Sequence, residues 1–214
     1  MFPSQTDRLW SWYMENYENF LWGNDKLYGL VKTVDEHDPS GGPKAFPDRP
    51  HLRVLGELLN TEDLVAVAKS RQMMVSWLCM SLVLFEALHP GRRWGVLCKQ
   101  FASADDLLER AWAIYENIPI SLRPKATRKQ GLITVLHQNN PSRIHAFSQD
   151  SDEARSKTYS GLLIDEAAFA EHLEAVITAA RPTVTGGGKL WLVSTPNFKE
   201  YFHTLLSDNG RIDL

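Results

Sequence analysis

Little in this 214-residue sequence marks a secreted, metal-held or membrane-inserted protein. Its two cysteines, Cys79 and Cys98, each sit inside an apolar stretch with no second ligand at metal spacing. Such thiols read as buried and reduced, as in a cytoplasmic protein. Seven histidines are scattered without an HxxxH or CxxC companion, so no transition-metal site held by the chain is expected. The start, Met1-Phe2-Pro3-Ser4-Gln5, lacks a basic segment followed by an apolar one, so no secretory signal is expected. The longest uncharged run, Gln72 to Phe85, falls short of the roughly 20 residues that a membrane span needs and predicts a buried helix. Neither sign of charge dominates. A formal net charge of -3 gives no general attraction for phosphates, so any nucleic-acid contact must come from a local basic patch or a partner.

Hydrophobic residues make up 43% and charged residues 23% of the chain, an ordinary globular composition. The length suits one core with a small appendage. Residues 4–22 carry Trp10, Trp12, Tyr13, Tyr17, Phe20 and Trp22 among polar and acidic neighbours, which predicts an amphipathic aromatic helix. Residues 34–50 hold Asp38-Pro39-Ser40-Gly41-Gly42-Pro43, Pro47 and Pro50 and read as an extended connection. The expected division is therefore an arm over 1–49, packed on a catalytic body over 50–214.

Within the body, helix is predicted over 51–59, 73–88, 105–117, 171–180 and 201–206. The apolar runs 64–68, 94–98, 161–164 and 190–193 have the composition of strands buried on both faces. Residues 132–136 and 143–147, separated by Gln138-Asn139-Asn140-Pro141-Ser142, read as a hairpin. Strands alternating with helices imply an α/β fold of three layers with a mainly parallel central sheet.

In such sheets a ligand sits beyond the carboxyl ends of the strands, which directs attention to three of the runs. The first passes through Lys69-Ser70-Arg71-Gln72-Met73-Met74-Val75-Ser76 straight into the long apolar helix. A phosphate-binding loop belongs at such a place, with backbone N–H groups and the helix N-terminus cradling phosphates and the Ser76 hydroxyl ligating magnesium. Against the pattern GxxxxGK[ST], Lys69 and Met74 stand where glycines are expected, Val75 replaces the lysine, and only Ser76 fits. Taken alone, the segment reads more readily as an ordinary strand-to-helix turn with an amphipathic Lys and Arg. The second run ends in Asp165-Glu166. Phosphoryl transfer to water uses two acids in this way: Asp165 would share the magnesium with Ser76, and Glu166 would take a proton from the attacking water. The third ends in Ser194-Thr195-Pro196-Asn197, short polar residues that could sense a γ-phosphate from a neighbouring strand, although alone they read as a turn.

In this order the segments resemble the large terminase subunits of tailed bacteriophages. Ser70-Arg71-Gln72 is similar to that family's deviant phosphate loop, Asp165-Glu166-Ala167-Ala168-Phe169 to its acidic strand end, and Thr195-Pro196-Asn197 with Tyr201-Phe202 to its coupling motif. Asn140-Pro141-Ser142-Arg143-Ile144 resembles a turn and strand that often precede the acids. The likeness spans roughly residues 43–206. It implies a P-loop NTPase fold of the RecA-like type, ATP and Mg2+ as ligands, and ATP hydrolysis driving double-stranded DNA into a procapsid. The implied partners are DNA, a portal protein and a small terminase subunit. The implied assembly is a homo-oligomeric ring, with a monomer in isolation, in the host cell cytoplasm.

The resemblance also assigns residues. Residues 69–76, Asp165, Thr195 and Asn197 would contact the nucleotide, and Lys69 and Arg71 would neutralise phosphate in place of the missing lysine. Arg155, in Asp152-Glu153-Ala154-Arg155-Ser156-Lys157, would be an arginine finger acting on a neighbouring subunit. Departures are plain as well. Glycine and lysine are absent before Ser76, and no adenine-contacting Gln stands near Pro50-His51-Leu52. The nuclease domain of longer family members is not expected within residues 1–214. Two other readings stay open: a helicase-like translocase of another family, and a nucleotide-independent interaction module with a degenerate loop.

Overall fold

The computed structural model describes residues 4–34, 41–148, 158–197 and 201–207. It opens with α1 (Gln5–Glu15) and α2 (Tyr17–Leu21). Ser4 and Asp7 close a capping box at the first of these. A single helix is expected over this stretch, but Asn16 turns extended (φ -152°) and its side chain caps Asn19 N–H at 2.8 Å, so the helix ends and restarts. Asn competes well for backbone donors at such points. A two-stranded ribbon follows, β1 (Lys32–Thr33) paired antiparallel with β2 (Lys44–Ala45).

The body then runs α3 (Pro50–Thr61), β3 (Leu64–Ala68), α4 (Val75–Ala87), β4 (Arg93–Cys98) and α5 (Phe101–Asn117). After these come β5 (Ala126–Lys129), β6 (Leu132–Val135), β7 (Ser142–Ser148) and β8 (Gly161–Asp165). A 3-10 turn over Ala167–Phe169 leads to α6 (Leu173–Thr185), β9 (Lys189–Ser194) and α7 (Tyr201–Ser207). The strand order is β3-β9-β8-β4-β7-β6-β5. β3, β9, β8, β4 and β7 are parallel, and the β7-β6-β5 edge is antiparallel.

Successive strand residues point to opposite faces, and two hydrophobic clusters divide along that period. Trp191 and Val193 of β9, Leu163 of β8 and Val96 of β4 join α3, α4 and α5 on one face. Leu190 and Leu192 of β9, Leu162 and Ile164 of β8 and Leu97 of β4 join α6 and α7 on the other. This is the expected three-layer α/β arrangement around a mainly parallel central sheet. The helix α4 is apolar all round because it lies between the sheet and its neighbouring helices, with Leu78, Cys79, Met80 and Leu84 fully buried.

The N-terminal helices share this first cluster. Phe20 packs at a tilt against Phe85 of α4 with ring centroids 5.5 Å apart, and Tyr13, Tyr17 and Leu21 are buried in the same cluster. Each such side chain contributes about 1.5–3 kcal/mol on leaving water. No helix among the described residues is long and apolar enough to cross a membrane.

Candidate nucleotide site

The sheet order places β9 between β3 and β8, so the ends of the three suspicious runs lie side by side. Pairing continues one residue past β3, where Lys69 N–H donates to the Ser194 carbonyl at 2.9 Å. The chain then leaves the sheet and turns into α4. Gln72 (φ 62°) and Met74 (φ 60°) both take the left-handed conformation, which costs a side-chain-bearing residue roughly 1–2 kcal/mol. Position 74 is where the phosphate-loop pattern has glycine, so the backbone there has the shape that favours glycine without its side-chain freedom. Val75, in the lysine position, is buried and belongs to the core.

Beyond the loop, the Ser76 hydroxyl donates to Asp165 Oδ2 at 3.3 Å. Asp165 Oδ1 accepts from Glu166 N–H at 3.0 Å. Glu166 is itself left-handed (φ 55°) and exposed, its carboxylate leaving the strand just before the 3-10 turn. The buried Ser194 hydroxyl accepts from Ala168 N–H at 3.1 Å and donates to the Thr195 carbonyl, while Asn197 Nδ2 donates to the Ala168 carbonyl at 3.4 Å. Both backbone groups of Ala168 are thus held from the end of β9. The hydroxyl and carboxylate of Ser76 and Asp165 are hard oxygen donors of the kind magnesium takes, and they fit that ion.

A cavity of about 540 Å³ opens over the loop. Lys69 and residues 71–77 line it together with Thr33, Val34, Lys44, Ala45, Pro47 and Arg49 and with Arg110 of α5. Of the residues singled out in the sequence, Ser70, Asp165, Glu166, Thr195 and Asn197 lie outside this lining. Ser76 belongs to the lining and bonds Asp165, and so joins cavity and strand end. Arg155 falls outside the described residues.

Several contributors were not legible beforehand. His51 stands where the resemblance implies an adenine-contacting Gln, and its Nε2 lies 3.4 Å from the Met73 carbonyl, tying α3 to the loop. Lys44, Arg49 and Arg110 carry no motif, and nothing short of the tertiary structure identifies them. The thiols of Cys79 and Cys98 are pushed up well beyond the usual range, first by burial and then by the Asp165 carboxylate. Both are free and buried, as expected.

No protein-family model matches the sequence, and no curated protein matches it. Solved structures do resemble it. The large terminase ATPase domain of Thermus phage P74-26 shares 18% identity at a TM-score of 0.57, over 75% of this chain and 69% of that one. The large terminase of bacteriophage HK97 shares 13% identity at a TM-score of 0.65, over 92% of this chain and 40% of that one. A large terminase from a thermophilic bacteriophage, in complex with ATP-gamma-S, shares 15% identity at a TM-score of 0.52, over 77% of this chain and 43% of that one. The chain spans less than half the length of the last two. The fold is therefore one shared with the ATPase domains of tailed-phage large terminases.

Proposed function

We propose that this chain is the ATPase motor part of a viral DNA-packaging terminase, with residues 1–49 as an arm on the ATPase domain of residues 50–214. The single observation that carries the reading is the Ser76–Asp165 hydrogen bond at the mouth of a cation-lined cavity. It brings the two residues that the chemistry requires together across a loop that lacks the usual glycines and lysine.

In this reading the loop's N–H groups and the α4 N-terminus bind the phosphates of ATP, and Lys69 and Arg71 offset their charge. Ser76 and Asp165 hold magnesium, which when bound neutralises charge on the β- and γ-phosphates. Glu166 orients the attacking water and takes its proton. Thr195 and Asn197 lie at the end of the strand between loop and acids. Asn197, and Ser194 next to Thr195, hold Ala168 and would pass a change at the γ-phosphate to the segment after Glu166. Arg155 would complete the site of a neighbouring subunit within a homo-oligomeric ring. Double-stranded DNA, a portal protein and a small terminase subunit are the proposed partners, by likeness to the named terminases.

Magnesium-dependent ATP turnover by the full chain, with Glu166→Gln as control, tests this reading. Turnover lost in the variant supports it. An unmodified chain that neither binds nor hydrolyses ATP would instead favour an interaction module.

A further inference from the structure

We propose that Arg110, on α5, is a phosphate-binding residue of the nucleotide site and supplies the cation that position 75 lacks. The inference rests on the nucleotide reading given above. Three observations carry it. Val75 is only 4% exposed and packs in the core, so the position that holds lysine in the phosphate-loop pattern offers no charge. Arg110 lines the same cavity as residues 71–76. Its guanidinium also lies over the ring of Trp77, 5.7 Å from the centroid, and Trp77 directly follows Ser76 in the first turn of α4.

Trp77 is itself buried, so it makes a fixed platform beside the loop. Arg110 leaves α5 between the buried Leu107 and Ala111, on a helix packed against α4. A cation on a packed helix is placed more narrowly than one on a loop or a two-residue ribbon. Lys69, Arg71, Lys44 and Arg49 also line the cavity, and no carboxylate lines it among the described residues. Guanidinium suits phosphate binding because its planar fork bonds two phosphate oxygens at once while its face rests on an aromatic ring.

The test is titration of the full chain with a fluorescent ATP analogue in magnesium, and competition by inorganic tripolyphosphate, which has phosphates but no base. Arg110→Gln should weaken both probes roughly tenfold or more, with Arg110→Lys intermediate. Arg123→Gln removes an equal charge from a residue stacked on Tyr115, outside the cavity, and should change neither. Affinities in Arg110→Gln that match those of Arg123→Gln would overturn the proposal. A second measurement needs no variant: magnesium ATP should slow phenylglyoxal modification of Arg110 in the unmodified chain, and an unchanged rate would also overturn it. An unmodified chain that binds neither probe would sink the nucleotide reading itself, a result distinct from a loss of the Arg110 role alone.

Discussion

Ser76 Oγ and Asp165 Oδ2 stand 3.3 Å apart although 89 positions separate them in the chain. The bond joins the first turn of α4 to the end of β8, passing over β9. Asp165 spends its other oxygen on the backbone of Glu166, so one carboxylate both faces the loop and sets where the next acid begins. Different roles follow for the adjacent acids. Glu166→Gln should abolish ATP turnover and preserve ATP binding, because the base is lost while Ser76 and Asp165 remain. Asp165→Asn should weaken both. Binding titrations beside steady-state hydrolysis separate the two, and full turnover in Glu166→Gln would remove this residue from the mechanism.

Lys69 extends the β3–β9 pairing through its backbone and is one of the residues that line the cavity. Lys69→Ala should therefore lower turnover and ATP affinity more than Val75→Ala does. Val75 lines the cavity as well as the core, so adding Val75→Lys to Lys69→Ala should recover part of the activity at some cost in stability. Unchanged hydrolysis in Lys69→Ala would leave Arg71 and Arg110 as the working cations.

Arg155 is proposed to act across a subunit boundary, and mixing experiments read this directly. Arg155→Ala and Glu166→Gln chains should each be inactive alone. Mixed under assembling conditions, they should recover activity where an intact base meets an intact finger. The rate gain available from such a finger is about 10³–10⁵. No recovery at any ratio in demonstrably mixed assemblies would rule out action in trans.

Gly161 opens β8 directly beneath the fully buried Trp94 ring, and a Cβ there would come within 2.4 Å of it. Trp94 is also packed against Trp191, with centroids 4.5 Å apart, and has no room to withdraw. Gly161→Ala should cost roughly 1–3 kcal/mol and lower the melting temperature by a few degrees. Calorimetry would show it, and an unshifted midpoint would mean that the tryptophan pair yields.

Cys79 and Cys98 should resist thiol reagents in the folded protein at mildly alkaline pH, since burial and the nearby Asp165 carboxylate disfavour the reactive thiolate. Both should react at once in denaturant. Rapid labelling of the native chain would show that the core opens more readily than its packing implies.

The sequence by itself determined the elements that are buried on both faces. The runs 94–98, 161–164 and 190–193 are continuous and apolar because helices cover both sides of those strands, and each lies within an observed strand. The run 64–68 also forms a strand, but at the edge of the sheet, where only Val65 is buried rather than both faces as expected. The loop, the Asp165-Glu166 pair and the Ser194-Thr195-Pro196-Asn197 segment stand out in the sequence because each directly follows one of those apolar runs. Other elements left no such trace. β5 (Ala126–Lys129) is an exposed edge carrying Arg128 and Lys129, so it has no hydrophobic pattern to find. The ribbon of β1 and β2 exists only because two short segments pair, and the helix break at Asn16 depends on one side chain capping its own backbone. The tertiary structure alone decided that β9 separates β3 from β8, that His51 braces the loop, and that Lys44, Arg49 and Arg110 surround one cavity. A charge far along the chain becomes part of a site only when packing brings its helix there, and no local pattern in the sequence records that approach.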